Sequence, residues 1–217
     1  MQNDAWQKYF ADTVQRAELV LSEEQHALFL RYMLELLEWN RSTNLTRIVE
    51  PRAIAVKHFL DSILITKYID IQKKHIADIG SGGGFPGIPL AILEPDCSIV
   101  LIETLRKKTS FLKHLIRTLK LKNVRVFTGR AQTYPEPLSF DLAISRAFAS
   151  LSDFSAIAAA LIKPQGCIVC MKGQPPKEEI ESLENDTNRG FSLQTHSYCL
   201  PEQGDTRTLI VLHPCFT

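Results

Sequence analysis

Two hydrophobic rhythms divide the chain. From about Asp4 to Asn40 the apolar positions recur at helical spacing, and Leu28, Leu30, Met33, Leu34, Leu36 and Leu37 predict a helix with one broad buried face. Ser22 followed by Glu23, Glu24 and Gln25 has the form of a capping box, which puts a helix start there. A third helical stretch is expected from about Arg52 to Tyr68, after Pro51. Nothing in this part alternates with period two, so residues 1–70 are expected to form a helical N-terminal cap. From about Lys74 onward strands alternate with helices, which predicts parallel pairing and right-handed crossovers. The expected strands are His75 to Ile79, Ser98 to Glu103, Val124 to Thr128, Asp141 to Ser145 and Gly166 to Lys172. Helices are expected at Pro86 to Leu93, Leu105 to Leu121, near Ala131 to Tyr134, at Leu151 to Ile162 and near Pro176 to Asn188. Two further extended runs, Phe191 to Leu200 and Thr206 to Leu212, flank the turn-rich Pro201 to Asp205. The fold class is therefore α/β: residues 71–217 as one unit, a mostly parallel sheet of seven strands with antiparallel C-terminal strands.

The most specific local signal is Asp78-Ile79-Gly80-Ser81-Gly82-Gly83-Gly84-Phe85-Pro86-Gly87, set between two apolar runs. Gly80, Gly82 and Gly84 suit a backbone that turns sharply out of a strand and approaches a ligand closely. Gly82, Gly84 and Gly87 also spell G-x-G-x-x-G, which alone would suggest a dinucleotide. The whole string more closely resembles the first motif of S-adenosylmethionine-dependent methyltransferases, where an acid ending the first strand precedes G-x-G-x-G. Asp78 is suited to that ligand, whose ammonium and sulfonium a carboxylate can help to hold directly or through water.

Ligands of an open α/β sheet lie beyond the carboxyl ends of the strands, where strand order reverses. That rule selects Asp78 and Gly80 to Gly84 on the first strand, and Glu103, about 20 residues on, for ribose hydroxyls. Gly129 to Gln132 would adjoin an adenine ring, Ser145-Arg146-Ala147-Phe148 would face the transferred methyl, and Lys172-Gly173 ends the fifth strand.

Composition narrows the class further. With 217 residues, 45% hydrophobic and 23% charged, this is an ordinary globular chain. No run reaches transmembrane length, and Asp4 and Asp12 stand where a leader would be basic and apolar, so a cytoplasmic protein without membrane contact is expected. The five cysteines have no disulfide-framework spacing, and Cys167-Ile168-Val169-Cys170 reads as buried-strand thiols rather than half of a zinc site. The six histidines are scattered, so no metal is expected. The net charge of +1 conceals a strong asymmetry. Arg106, Lys107, Lys108, Lys113, Arg117, Lys120, Lys122, Arg125 and Arg130 follow one another with no acid between them. Such a run is either a solvated helix face or a phosphate-contacting surface.

Four separated strings carry a closer resemblance: Glu38-Trp39-Asn40-Arg41-Ser42-Thr43-Asn44-Leu45-Thr46, His58-Phe59-Leu60-Asp61-Ser62, the glycine loop, and Ile144-Ser145-Arg146-Ala147-Phe148-Ala149-Ser150-Leu151. In this order, from about Trp39 to the C-terminus, the chain resembles the family of ribosomal RNA small subunit methyltransferase G, also called glucose-inhibited division protein B. The resemblance implies a Rossmann-like class I fold and methyl transfer from S-adenosylmethionine to N7 of a guanine in the 530 loop of bacterial 16S rRNA. It matches Gly80 and Phe85 to the cofactor loop, Ala131 and Gln132 to the adenine side, and Arg146 to the site arginine. Gln132 stands where relatives usually carry an acid. Its carbonyl can still accept from an adenine amino group, without charge. The implied partner is 16S rRNA or the small ribosomal subunit, contacted through Arg106, Lys107, Lys108, Lys113, Arg117 and Lys172, by an enzyme expected to act as a monomer.

The implied chemistry needs no general base, because guanine N7 has an unshared pair and no proton to remove. No catalytic residue is therefore assigned with certainty. Arg146 is better suited to a phosphate or base edge than to developing charge, since the methylated base becomes cationic. The residues alone leave other readings open: a methyltransferase of a small molecule or protein, an NAD-binding oxidoreductase using Gly82, Gly84 and Gly87, and a non-enzymatic RNA-binding protein.

Overall fold

The computed structural model describes residues 2–146, 150–185, 190–201 and 204–215. Its centre is a seven-stranded sheet of order β3-β2-β1-β4-β5-β7-β6. The strands are β1 (His75–Ile79), β2 (Ser98–Glu103), β3 (Val124–Thr128), β4 (Phe140–Arg146), β5 (Ile162–Lys172), β6 (Phe191–Cys199) and β7 (Thr206–Pro214). β1 pairs in parallel with β2 and with β4, so the chain reverses its direction of sheet growth between them. Both further neighbours, β2–β3 and β4–β5, are also parallel. β7 runs antiparallel to β5 and to β6. The expected C-terminal reversal is thus one strand, β7, inserted between β5 and the edge strand β6.

Side-chain alternation along these strands feeds two cores. Ile76, Leu101, Ile144 and Val169 face α5 (Gly87–Leu93), α6 (Arg106–Leu119) and the N-terminal helices. Ala77, Ile102, Ala143 and Ile168 face α7 (Leu151–Ala159), joined by Ile180 and Leu183 of α8 (Lys177–Asn185). Strands buried on both faces are what a parallel sheet requires. Three expected boundaries move by three residues or more. α7 ends at Ala159 and β5 begins at Ile162, because Ile162 pairs with Phe140 ahead of a bulge, after which Cys167 pairs with Leu142. α8 ends at Asn185, and the rest of the expected helix, to Asn188, lies outside the described residues.

The N-terminal helices are α1 (Gln2–Arg16), α2 (Glu23–Thr43), α3 (Pro51–Ile54) and α4 (Asp61–Leu64), with a π-helical turn at Ala55–Leu60 and a 3-10 turn at Ile65–Lys67. The capping box forms as expected: Gln25 N donates to Ser22 Oγ at 3.2 Å and Ser22 N to Gln25 Oε1 at 2.8 Å, worth about 1 kcal/mol. The buried stripe of α2 keeps Met33 and Leu36 of the expected face and adds two aromatic residues. It is Phe29, Tyr32, Met33 and Leu36, at helical spacing, while Leu28, Leu30 and Leu37 are half-buried and Leu34 is exposed. Aromatic rings decide this. Phe10, Phe29, Tyr32 and Phe59 interlock with centroids 4.9 to 6.0 Å apart and share one core with the sheet. The π-helical turn, which hydrophobic spacing does not announce, carries His58 at its centre and leads into Asp61.

Candidate active site

At the end of β1 the backbone turns through Gly80, Gly82 and Gly84, all at positive φ (76°, 58° and 97°). Gly80 N donates to Ile102 O at 2.9 Å, while Gly84 N and Phe85 N donate to Ser81 O at 2.7 and 3.0 Å. Gly84 is the most constrained position, since a Cβ there would lie 2.7 Å from the Tyr32 hydroxyl as well as facing an unfavourable φ. Gly87, the last member of the literal G-x-G-x-x-G, serves packing: a Cβ would press on Asp78 Oδ2 at 2.7 Å and on Leu101.

Asp78 is fully buried on the α5 side of the sheet. Its Oδ2 accepts from Gly87 N at 2.9 Å, and its Oδ1 has no partner. Burial pushes its pKa up to about 7, against the pull of the Gly87 amide and the Arg146 charge. Glu103 closes the loop from the neighbouring strand. Its Oε2 accepts from Gly82 N at 3.0 Å, and its Oε1 accepts from Thr104 N and Leu105 N at 2.8 and 2.9 Å. The amides occupy Oε1 and leave Oε2 capacity for one more donor.

Next to this carboxylate a cavity of about 350 Å³ is lined by Ile79, Gly80, Glu103, Gly129, Ala131 and Gln132. Ala131 is buried and Gln132 exposed on a short 3-10 turn after β3. Gly80, Glu103, Ala131 and Gln132 thus meet in one space, as the strand-end rule requires, while Asp78 lies beneath the loop and outside the cavity lining.

Arg146, the last residue of β4, is held from several sides. Its Nη1 donates to Lys57 O at 3.0 Å and lies 3.9 Å from Asp61 Oδ2, and its Nη2 donates to His58 Nδ1 at 2.9 Å. The guanidinium sits 4.8 Å from the centroid of the Phe85 ring, on which His58 also stacks at 4.3 Å. Because arginine only donates, His58 Nδ1 must accept, which leaves the ring proton on Nε2 facing Thr46 Oγ1 at 2.8 Å. Thr46 is placed by Asn40, whose side-chain amide makes both hydrogen bonds to the Thr46 backbone at 2.9 Å. Burial, then the Arg146 charge, lowers the His58 pKa to about 3. Asp61 lies on the same side: its Oδ1 accepts from the Tyr198 hydroxyl at 3.1 Å and its Oδ2 from Arg207 Nε at 3.4 Å. Burial raises its pKa, and Arg146 and Arg207 oppose the rise.

Sequence reasoning gives roles to none of Asn40, Thr46, His58 and Asp61, although all four stand in the two N-terminal strings quoted for the family resemblance. Tyr32, Tyr198 and Arg207 carry no signal at all, because their value depends on partners far away in sequence. A second cavity of about 330 Å³ is lined by Lys57, Asp61, Arg146, Met171, Lys172 and Arg207 among others. Lys172 is paired with Glu179 at 3.4 Å. Phe148 and its neighbours Ala147 and Ala149 lie outside the described residues.

The basic run forms α6 and the edge strand β3. Arg106, Lys107, Lys113, Arg117, Lys120, Lys122, Arg125 and Arg130 are exposed, while Lys108 is half-buried with Nζ 4.0 Å from Glu103 Oε2. Phe111, Leu112, Leu115 and Leu119 form the opposite, buried face of α6. Lys113, Arg117 and Arg125 border a groove of about 620 Å³ that also contains Trp39 and His114. Cys167 and Cys170 are three apart on a strand and so face opposite sides of the sheet. All five cysteines are free thiols, and burial pushes Cys167 up to about 11. Among the described residues no group of three or more His, Cys, Asp or Glu side chains could hold a metal, and no helix is long and apolar enough to cross a membrane.

This geometry agrees with what the chain is similar to. Among solved structures it superposes on a SAM-dependent methyltransferase from Aquifex aeolicus with a TM-score of 0.58 at 13% identity, covering 82% of this chain and 97% of that one. It also superposes on a putative RNA methyltransferase from Pyrococcus horikoshii with a TM-score of 0.54 at 14% identity, covering 86% and 100%. These likenesses establish the Rossmann-like methyltransferase fold. In sequence it is 40% identical over 195 residues to ribosomal RNA small subunit methyltransferase G of Nitrosococcus oceani, spanning 89% of this chain and 88% of the relative. The enzyme of that name from Oceanobacillus iheyensis is 35% identical over 210 residues, spanning 94% and 88%. The GidB family model, described as rRNA small subunit methyltransferase G, matches residues 25–206. The chain therefore belongs to the rRNA small subunit methyltransferase G family.

Proposed function

We propose that this enzyme transfers a methyl group from S-adenosylmethionine to N7 of a guanine in the 530 loop of bacterial 16S rRNA, producing 7-methylguanosine. One observation supports this most strongly. The glycine-loop cavity lies over the ends of β1, β2 and β3 and the Arg146 cavity over the ends of β4 and β5, on either side of the β1–β4 reversal, and the basic helix α6 follows directly from β2. The reading rests on family membership for the rRNA substrate and on the residues below for its finer parts.

The residues present fit the cofactor. Asp78 Oδ1 is a buried carboxylate oxygen without a partner, suited to a cationic ammonium reached through the loop or a bound water. Glu103 Oε2 retains room for a ribose hydroxyl, and Ala131 with Gln132 offers an apolar wall and an amide for adenine. When bound, S-adenosylmethionine supplies a methyl on a positively charged sulfur. The chain then has to align an acceptor with an unshared pair and exclude competing water.

No side chain has to take a proton from guanine N7. His58 is unsuited to such a role, because its pKa is lowered to about 3 and its Nδ1 already accepts from Arg146. Arg146 keeps further N–H groups for a base edge or phosphate, and the Asp61 carboxylate offsets positive charge in the same cavity. Lys57, Lys172 and Arg207 line that cavity while ion-paired with Asp205, Glu179 and Asp61, so a nucleotide phosphate there would compete with those carboxylates. The exposed cations of α6, with Trp39 in the adjoining groove, suit the backbone and bases of a single-stranded RNA loop. We further infer a cytoplasmic monomer acting on 16S rRNA or the small subunit. Incubation with tritiated methyl donor and, separately, naked 16S rRNA, small subunits and a metabolite extract tests the substrate class. Label in rRNA is expected, and label confined to a metabolite would contradict it.

A further inference from the structure

The N-terminal helices reach into the cofactor loop through one side chain. Tyr32 of α2 is fully buried, and its hydroxyl donates to Gly83 O at 2.5 Å. Its ring stacks on Phe85 with centroids 5.3 Å apart and planes 10° apart, and meets Phe59 at 4.9 Å. Phe85 in turn carries His58 and the Arg146 guanidinium. The same helix grips the segment after the loop: Gln25 Nε2 donates to Ile92 O and Leu93 O, both at 2.9 Å, at the end of α5. Gly84 is open to Tyr32 because it lacks a Cβ.

A glycine-rich loop loses more backbone freedom on ordering than any other segment of its length. Unless something else fixes it, the ligand must bear that cost and binds more weakly. Tyr32 fixes it at the carbonyl of Gly83, inside the tightest part of the turn, from an element that contributes nothing to the cavity lining beside Glu103. We propose that Tyr32 is a positioning residue for cofactor binding: its hydroxyl holds the glycine loop in its binding shape, so the N-terminal helices help to set the affinity for S-adenosylmethionine. The inference rests on the glycine loop being the cofactor site.

Tyr32→Phe keeps the stacked ring and removes the donor, leaving a buried carbonyl unpartnered. In the cofactor-free variant, hydrogen exchange at the Gly84 and Phe85 amides should accelerate about tenfold, with exchange in α1 unchanged. Calorimetric titration should show the Kd for S-adenosylmethionine rising about tenfold, and KM for the cofactor should rise while KM for rRNA does not. Gly84→Ala attacks the same contact from the loop side, so combining it with Tyr32→Phe should give a non-additive loss of affinity. A folded Tyr32→Phe variant with wild-type cofactor affinity would overturn the proposal, as would additive losses or a uniform acceleration of exchange through all the N-terminal helices. Wild-type protein that binds no S-adenosylmethionine would instead remove the reading of the loop itself.

Discussion

The Arg146 guanidinium donates to Nδ1 of His58 at 2.9 Å, joining the end of β4 to a π-helical turn 88 residues earlier in the chain. This one contact fixes the tautomer of the ring and binds the N-terminal helices to Arg146. His58 should therefore remain neutral, with its proton on Nε2, from pH 5 to pH 8, because its pKa lies near 3. Nitrogen-15 chemical shifts of the ring check this. A titration centred near pH 6.5 would show that the contact does not exist in solution.

Asp78 should make the cofactor-free protein lose stability as pH rises. Its pKa is about 7 in the folded state against about 3.8 ordinarily, so the fold binds the extra proton between those values. The stabilisation is complete below pH 4 and gone above pH 7, an effect on the order of 4 kcal/mol. His58 works in the opposite sense between about pH 3 and 6.5, where its lowered pKa makes the unfolded chain bind the extra proton. The two are separated by Asp78→Asn, whose stability relative to wild type should improve from pH 5 to pH 8 in urea denaturation. A cation bound near the carboxylate favours its charged form, so wild-type affinity for S-adenosylmethionine should rise through pH 7 and the variant's should not. Equal pH profiles would place the cofactor's charge elsewhere.

Asp61 is the shared counter-charge of Arg146 and Arg207 and the acceptor for Tyr198. Asp61→Asn removes the carboxylate shared by two half-buried cations, of which Arg207 keeps Asp205 at 3.7 Å, and should destabilise the fold by about 2 kcal/mol. The urea midpoint measures it. A midpoint equal to wild type would mean that the two arginines find other partners.

Much of the architecture is legible in the sequence because it follows from local pattern. Every strand can be placed within a few residues, and the Ser22 capping box and the positive φ values of Gly80, Gly82 and Gly84 follow from residue type. What escapes depends on tertiary context. The expected face of α2 is right at Met33 and Leu36 but misses Phe29 and Tyr32, which take the core by interlocking with Phe10 and Phe59. Asp78 is expected at the cofactor, yet it binds the Gly87 amide, nine residues on, and only the packed structure reveals its second oxygen as unpartnered. Arg146 stands out in the sequence, but the side chains that orient it come from the π-helical turn and Asp61, where sequence spacing announces only a helix.

The basic face of α6 should contribute by charge alone. Lys113→Ala combined with Arg117→Ala removes two exposed cations without touching the buried face. Affinity for rRNA should fall, and the slope of log affinity against log salt should flatten by about 1.4, at about 0.7 per contact with single-stranded RNA. Fluorescence anisotropy over a salt series reads both. An unchanged slope would make α6 a solvated surface. Lys108 is the wrong choice for this test because its Nζ lies 4.0 Å from Glu103 Oε2, so its loss would disturb that carboxylate as well.

The central claim concerns one atom of one base. Mass mapping of nuclease fragments from 16S rRNA, isolated from a strain lacking this enzyme and then treated with the purified protein and S-adenosylmethionine, tests it most directly. The expected result is a single added methyl, located in the 530-loop fragment and identified as 7-methylguanosine. A methyl on another base or atom, or no change in that fragment, would contradict it.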